Sequence, residues 1–203
     1  SRSIRQGYLY RNPLTPEYAA GLADGFAAMK DKTDYHVLRG KSVASGFTII
    51  GVSGVGKSTA VEKILSLYPQ KIIHTRYQET ALTSTQLVWL KLDCPHDGSI
   101  KGLCFQFFDA VDRATGTDYF QRYTKARYTV DVLMVLMTQL VNLYQIGILI
   151  IDEIQHLSLA KGGGSEKMLN FFVTLVNTIG IPVVMIGTTK AMSILQSEFR
   201  QAR

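Results

Sequence analysis

Only two cysteines, Cys94 and Cys104, occur in 203 residues, too few for a disulfide framework. Cys94 and His96 are near neighbours, but a structural zinc site takes four ligands at tighter spacing. Ordinary reduced thiols in a cytoplasmic protein are therefore expected, and no such metal. Nowhere do about 18 apolar residues run uninterrupted, which excludes a conventional membrane-spanning helix. The opening SRSIRQGYLYRN lacks the apolar centre of a secretory signal, and the chain does not begin with Met, as expected of a portion of something longer. Internal repeats and low-complexity tracts are absent too. Charged residues are sparse, 19% against 46% hydrophobic, which excludes a disordered chain and supplies one real core. Twenty-two Lys+Arg against sixteen Asp+Glu leave +6, a balance that permits a polyanionic partner without requiring one.

What the chain does contain is alternation. Residues 1–44 are polar, mixed in charge and rich in tyrosine, and form an N-terminal extension that either braces the core or binds a partner. Thr15 as N-cap with Pro16 at the first helical position opens a helix there, because proline's missing N–H is an orphan at that point anyway. Residues 45–203 form the main domain. Apolar runs at 46–50, 87–92, 147–151 and 181–186 read as core strands, with Ile72-Ile73 a further strand candidate. Helical spacing marks 58–68, 101–112, 130–144, 168–179 and 193–203. Strands separated by helices long enough to cross over predict an α/β fold with a mostly parallel sheet.

Gly51-Val52-Ser53-Gly54-Val55-Gly56-Lys57-Ser58 matches the phosphate-loop pattern G-x-x-x-x-G-K-[ST] in full. Glycines let backbone N–H groups approach phosphate oxygens, Lys57 offers a point charge, and the Ser58 hydroxyl can ligate Mg²⁺. The helix that starts here aims its positive end at the same anion. The predicted nucleotide-binding set is Gly51, Ser53, Gly54, Val55, Gly56, Lys57, Ser58 and Thr59, joined by Asp152.

That last residue ends a second element. In GILIIDE an apolar strand finishes on Asp152 and Glu153, about ninety residues past the loop. Ligands of open α/β sheets bind where such strands end. Asp152 is expected to hold Mg²⁺ and Glu153 to polarise the water that attacks the γ-phosphate. No guanine-reading N-K-x-D segment is present, which favours ATP over GTP. VVMIGTT is a third strand that breaks into small polar residues, and either Thr188 or Thr189 would sit near the γ-phosphate if it neighbours the loop strand. Arg200 and Arg203 follow on the last helix, where an arginine can stabilise charge on a transferring phosphoryl group; a solvated helix face is the plainer reading.

Together these motifs resemble an AAA+ ATPase. The stretches LVWLKLDCPHDGSIKGLCFQFFDAVDRATGTDY, LIIDEIQHLS, GGGSEKMLNFFVTLVN and IPVVMIGTTKA narrow the resemblance to the TnsC/TniB/MuB-type regulators of bacterial transposition, from about residue 45 onward. The resemblance implies a P-loop AAA+ core that assembles with ATP into rings or filaments on target duplex DNA. It also implies transposase subunits and a target selector of the TnsD/TniQ kind as partners, in a bacterial cytoplasm. Thr188 fits the sensor position and Arg200 the arginine finger, with Arg203 the second choice. Such cores carry a fifth strand and a helical lid; this chain ends at Arg203, before both, so impaired closure on ATP is expected.

The DNA-contacting residues are less sharply marked. Lys101, Thr115, Thr117, Arg122, Lys125 and Arg127 lie in segments that can face the pore of ring ATPases, where basic side chains pair with phosphates. Asp109, Asp112 and Asp118 are interleaved with them, so plain surface charge is the alternative. Two other functions compete: a nucleotide-gated protein-interaction ATPase that never touches DNA, and an ATP-binding scaffold with negligible hydrolysis.

Overall fold

Branched residues crowd χ1 in a helix and pack well on a pleated surface, and the runs FTII, ILIID and VVMIG become strands on that account. The computed structural model describes residues 46–77, 79–159 and 164–192, and in the first 27 residues it describes 2–6, 8, 11, 15, 16, 18, 20, 21, 23 and 27. Its strands are β1 (Phe47–Ile50), β2 (Lys71–Tyr77), β3 (Thr80–Leu87), β4 (Trp89–Asp93), β5 (Ile148–Asp152) and β6 (Val183–Gly187). Four of them form a parallel sheet in the order β1-β6-β5-β4, as the alternating pattern predicts. Ile50 pairs with Gly187 and Asp93 with Asp152, so the strands finish level at one edge. Among the described residues the flanking helices are α1 (Arg2–Gln6), α2 (Lys57–Leu65), α3 (Ile100–Thr115), α4 (Tyr119–Lys125), α5 (Val130–Leu143) and α6 (Gly164–Ile179).

Every residue of β5 and β6 is buried, which is what a parallel strand covered on both faces requires. Leu149 and Ile151 turn to one face, Ile148 and Ile150 to the other. The first face is deep: Leu103, Phe107, Phe108 and Val111 of α3 and Leu133, Met137 and Leu140 of α5 fill it. The second is shallow, with Leu65 of α2, Ile148, Ile150, Val184 and Ile186. Side-chain caps start the long helices. Ser99 Oγ accepts from the Gly102 N–H at 3.0 Å, and Gly116, at φ 78°, ends α3. Thr129 caps α5 in the same way.

One expectation needs correcting. The run 87–92 is not a single strand: Leu87 closes an antiparallel hairpin, β2-β3, that stands apart from the main sheet, and β4 begins at Trp89. The break is held from both sides, because Leu87 exchanges backbone hydrogen bonds with Tyr144 and Gly147 while Val88 donates to Gln70. Ile72-Ile73 is a strand as expected, but of this hairpin. The helix expected from Thr15 is present at residues 16, 18, 20, 21, 23 and 27.

The extension touches the core. Arg11 donates to the carbonyls of Val141 and Ile146, and the Tyr18 hydroxyl donates to that of Asn142. Burial pulls the Arg11 guanidinium down to about 10 and pushes the Tyr18 hydroxyl up to about 12. Neither cysteine forms a disulfide, and both are buried. Among the described residues no helix is long and apolar enough to cross a membrane. The expected helix 193–203, with Arg200 and Arg203, lies outside the described residues.

Candidate nucleotide site

The level strand ends create the site. Between β1 and α2 the chain turns through Gly54 and Gly56, at φ 81° and 82°, a left-handed conformation that a side chain would strain. Gly56 is the N-cap of α2 and provides no side-chain cap, and the first turn carries no acid. The first N–H groups of α2 are thus left for an anion. Across the edge, β5 delivers Asp152 and Glu153, and β6 delivers Gly187 and Thr188. Together they enclose a cavity of about 220 Å³ lined by Ser53, Gly54, Gly56, Lys57, Ser58, Thr59, Asp152, Glu153, Gly187 and Thr188. Pockets for whole ligands run to ~300–1,000 Å³, so this one suits the phosphate tail of a nucleotide rather than all of it.

Of the expected set, Gly51 and Val55 do not line the cavity. The Gly51 carbonyl accepts from Lys57 Nζ at 3.0 Å, and the Val52 carbonyl accepts from the same ammonium at 2.8 Å. Lys57 is thereby folded back on its own loop, and a phosphate oxygen is a stronger, charged acceptor for it than either carbonyl. Val55 is exposed at the tip of the turn.

The acidic half is held by contrast with the basic one. Asp152 is 3% exposed, and its Oδ1 accepts from the Glu153 N–H at 2.8 Å. Its Oδ2 lies 3.4 Å from Nζ of Lys91, which also meets Glu62 at 3.0 Å and Asp93 at 3.2 Å. Burial alone would lower the Lys91 ammonium, but its hydrogen bond to Glu62 and the charges of Asp93 and Asp152 raise it overall. Lys91 therefore ties α2, β4 and β5 together behind the cavity. Glu153 sits at φ 58°, a strained backbone for a residue with a side chain, and such strain concentrates at functional sites. The Thr188 hydroxyl oxygen is buried with no hydrogen-bond partner, an orphan on the cavity wall. Thr189, the other sequence candidate, does not line it.

These residues fit a nucleotide with Mg²⁺. Uncapped N–H groups and Lys57 supply donors for phosphate, Ser58 and Asp152 supply hard oxygen ligands, and Thr188 supplies a donor that lacks an acceptor. Sequence reading missed Lys91, Gln155 and His156, which surround the two acids. The Lys91 contacts join residues far apart in the chain, and only its position in VWLKL, facing away from Leu90 and Leu92, hinted at them.

The DNA candidates are dispersed by comparison. Lys101 lies over the Phe105 ring at the start of α3. Thr115 donates to the Val111 carbonyl at 2.7 Å and Thr117 to Asp112 at 2.6 Å, so both hydroxyl protons are engaged in closing the α3–α4 corner. Arg122 pairs with Asp118 at 2.8 Å. Lys125 and Arg127 are exposed beyond it.

The family model for an AAA domain matches residues 41–195. No curated protein matches the chain. Among solved structures, the chain is similar to the Walker-type ATPase paby2304 of Pyrococcus abyssi, with a TM-score of 0.44 and 14% identity, covering 93% of this chain and 48% of that one. The chain thus spans about half the length of that protein. With three quarters of its residues under the family model and a phosphate loop, acidic strand end and polar strand end converging on one cavity, the chain belongs to the AAA domain family of ATPases, which bind ATP with Mg²⁺.

Proposed function

We propose that the protein is an ATP-dependent, DNA-binding regulator of DNA transposition. In this reading it assembles on target duplex DNA with ATP and recruits or activates transposase subunits in answer to a selector of the TnsD/TniQ kind. The observation that carries the ATPase half is the cavity, where Lys57, Ser58, Asp152, Glu153 and Thr188 converge. The transposition half is supported by the long segments around β4–α3, β5 and β6 that resemble TnsC/TniB/MuB-type regulators.

In this proposal the N–H groups of Gly54 to Ser58 and the Lys57 ammonium bind the phosphates. Ser58 and Asp152 would hold Mg²⁺, which would supply neutralisation of phosphate charge. Glu153 orients the attacking water and takes its proton, and Thr188 donates to the terminal phosphate. Arg200 of a neighbouring copy completes the charge stabilisation in the assembled ring or filament. DNA contact falls to Lys101, Lys125 and Arg127 ahead of Thr115, Thr117 and Arg122, whose polar groups are already engaged. Backbone contacts of this kind give sequence-independent binding that weakens steeply with salt.

The test is retention of duplex DNA at two salt concentrations, with and without a slowly hydrolysed ATP analogue. The expected result is analogue-dependent, salt-sensitive retention that Lys57→Ala abolishes and Glu153→Gln preserves. Retention that ignores nucleotide and survives Lys57→Ala refutes the mechanism. A nucleotide-gated protein-interaction switch is the second reading, favoured by the internal engagement of Thr115, Thr117 and Arg122; nucleotide binding with no DNA retention at either salt supports it.

A further inference from the structure

The turn after β5 presses against the tip of β6, and one side chain bridges them. Gln155 Oε1 accepts from the Thr188 N–H at 3.0 Å, while Gln155 Nε2 donates to Glu153 Oε2. The polarity of this bridge is fixed. A backbone N–H can pair only with the amide oxygen, so the amide NH₂ is left to face the carboxylate. The approach is close as well: a Cβ at residue 187 would lie 2.6 Å from the Ile154 side chain and 3.3 Å from Gln155 Oε1. Glycine there lets the turn close, and Ile154, 3% exposed, anchors it in the core. Glu153 itself is half exposed and stands on a strained backbone, so neither burial nor a relaxed conformation fixes its carboxylate. Its other neighbour, His156 Nε2, is 3.9 Å away, too far for a hydrogen bond.

We infer that Gln155 is a positioning residue that couples Glu153 to the tip of β6. The orphan hydroxyl of Thr188 belongs to the same residue whose N–H Gln155 holds. A displacement of Thr188 on meeting a terminal phosphate is therefore passed through one amide to the carboxylate that orients water. The inference rests on the reading of Glu153 given above; the bridge to Thr188 is independent of it.

Two near-isosteric variants separate the two ends of the bridge. Gln155→Met can neither accept nor donate, whereas Gln155→Glu keeps the acceptor for Thr188 and loses the donor to Glu153. In the nucleotide-free full chain, amide exchange at Thr188, read by NMR, should speed up about tenfold in Gln155→Met and stay within about twofold of the parent in Gln155→Glu. In steady-state ATP turnover both variants should lose about tenfold in kcat with KM within about twofold. In a Glu153→Gln background, Gln155→Met should change the residual turnover by less than about twofold, because residues acting as a unit are not additive. The inference is overturned by unchanged Thr188 exchange in Gln155→Met, by parental kcat in Gln155→Glu, or by an equal loss in the Glu153→Gln background. If Glu153→Gln alone turns over like the parent, the water-orienting role of Glu153 falls, while the exchange result still decides the bridge.

Discussion

The two faces of the parallel sheet are built on different principles. On the α3–α5–α6 face, aromatic and aliphatic side chains form a continuous packed layer that includes Phe107, Phe108, Leu140 and Leu149. On the α2 face, among the described residues, the buried cluster is Leu65, Ile148, Ile150, Val184 and Ile186, and Ile64 of the same helix is exposed. Charge makes up part of the difference: Lys91 reaches from β4 to Glu62 on α2 and to Asp152 on β5. Close packing resists any change of shape, whereas a helix held by a thin apolar layer and ion pairs can shift slightly. The helix on the thin side is the one that presents the phosphate loop. The deep face fixes the sheet and hence the acids, and the shallow face leaves the phosphate-binding half adjustable.

The largest expected effect tests the deep face. Phe107→Ala should cost about 4 kcal/mol in urea or guanidinium unfolding, through lost transfer energy and an uncollapsed cavity. Leu65→Ala should cost about 2 kcal/mol, the low end for such a change, because neighbours beside a partly open site can move in. Equal costs would break the comparison. Lys91→Met comes next, at about 2 kcal/mol: Glu62 and Asp93 are exposed enough to regain water, so the loss stays below the ~3–5 kcal/mol of a fully buried pair. Its sharper readout is Mg²⁺ dependence of nucleotide binding, which should move, since Asp152 loses a neighbouring cation; Phe107→Ala should leave that dependence alone.

The smallest effect is alkaline. Burial pushes the Cys104 thiol on the deep face from its ordinary value near 9 up to about 12. The unfolded chain releases that proton first, so the contribution is fully present below about pH 9 and is lost as pH rises towards 12. Between pH 8 and pH 10 the parent's Tm should fall by about 3 °C more than that of Cys104→Ala.

Elements buried on both sides were the ones legible in the sequence. β5 and β6 read as apolar runs because neither face tolerates polar residues, and the phosphate loop read as a motif because its glycines are required by backbone geometry. The β2-β3 hairpin gave little signal for the opposite reason. In its strand TALTSTQL, Ala81 and Thr83 are exposed and Ser84 to Gln86 only half-buried, so no alternation of apolar residues marks them, and its Leu87 merged with the next run. Thr115 and Thr117 looked like surface donors, since nothing local shows that Asp112 gathers Thr117 and the N–H groups of Tyr119 and Phe120. Gln155 was invisible because its partners are a neighbour in sequence and a strand tip 33 residues away. Roles that depend on one polar atom meeting another across the fold leave no periodic trace.

The docking of Tyr18 and Arg11 on the α5–β5 turn bears on how the protein can be handled. A boundary drawn at residue 45 looks like a natural place to cut, since the phosphate-loop strand begins just after it. Cutting there would remove the side-chain donors to the carbonyls of Val141, Asn142 and Ile146, of which Val141 and Asn142 would keep backbone donors, next to the turn before β5. Arg11 and Tyr18 thus form a clasp from the first eighteen residues onto the end of α5 and the start of β5, and a version trimmed at residue 45 is expected to seat that central strand less firmly.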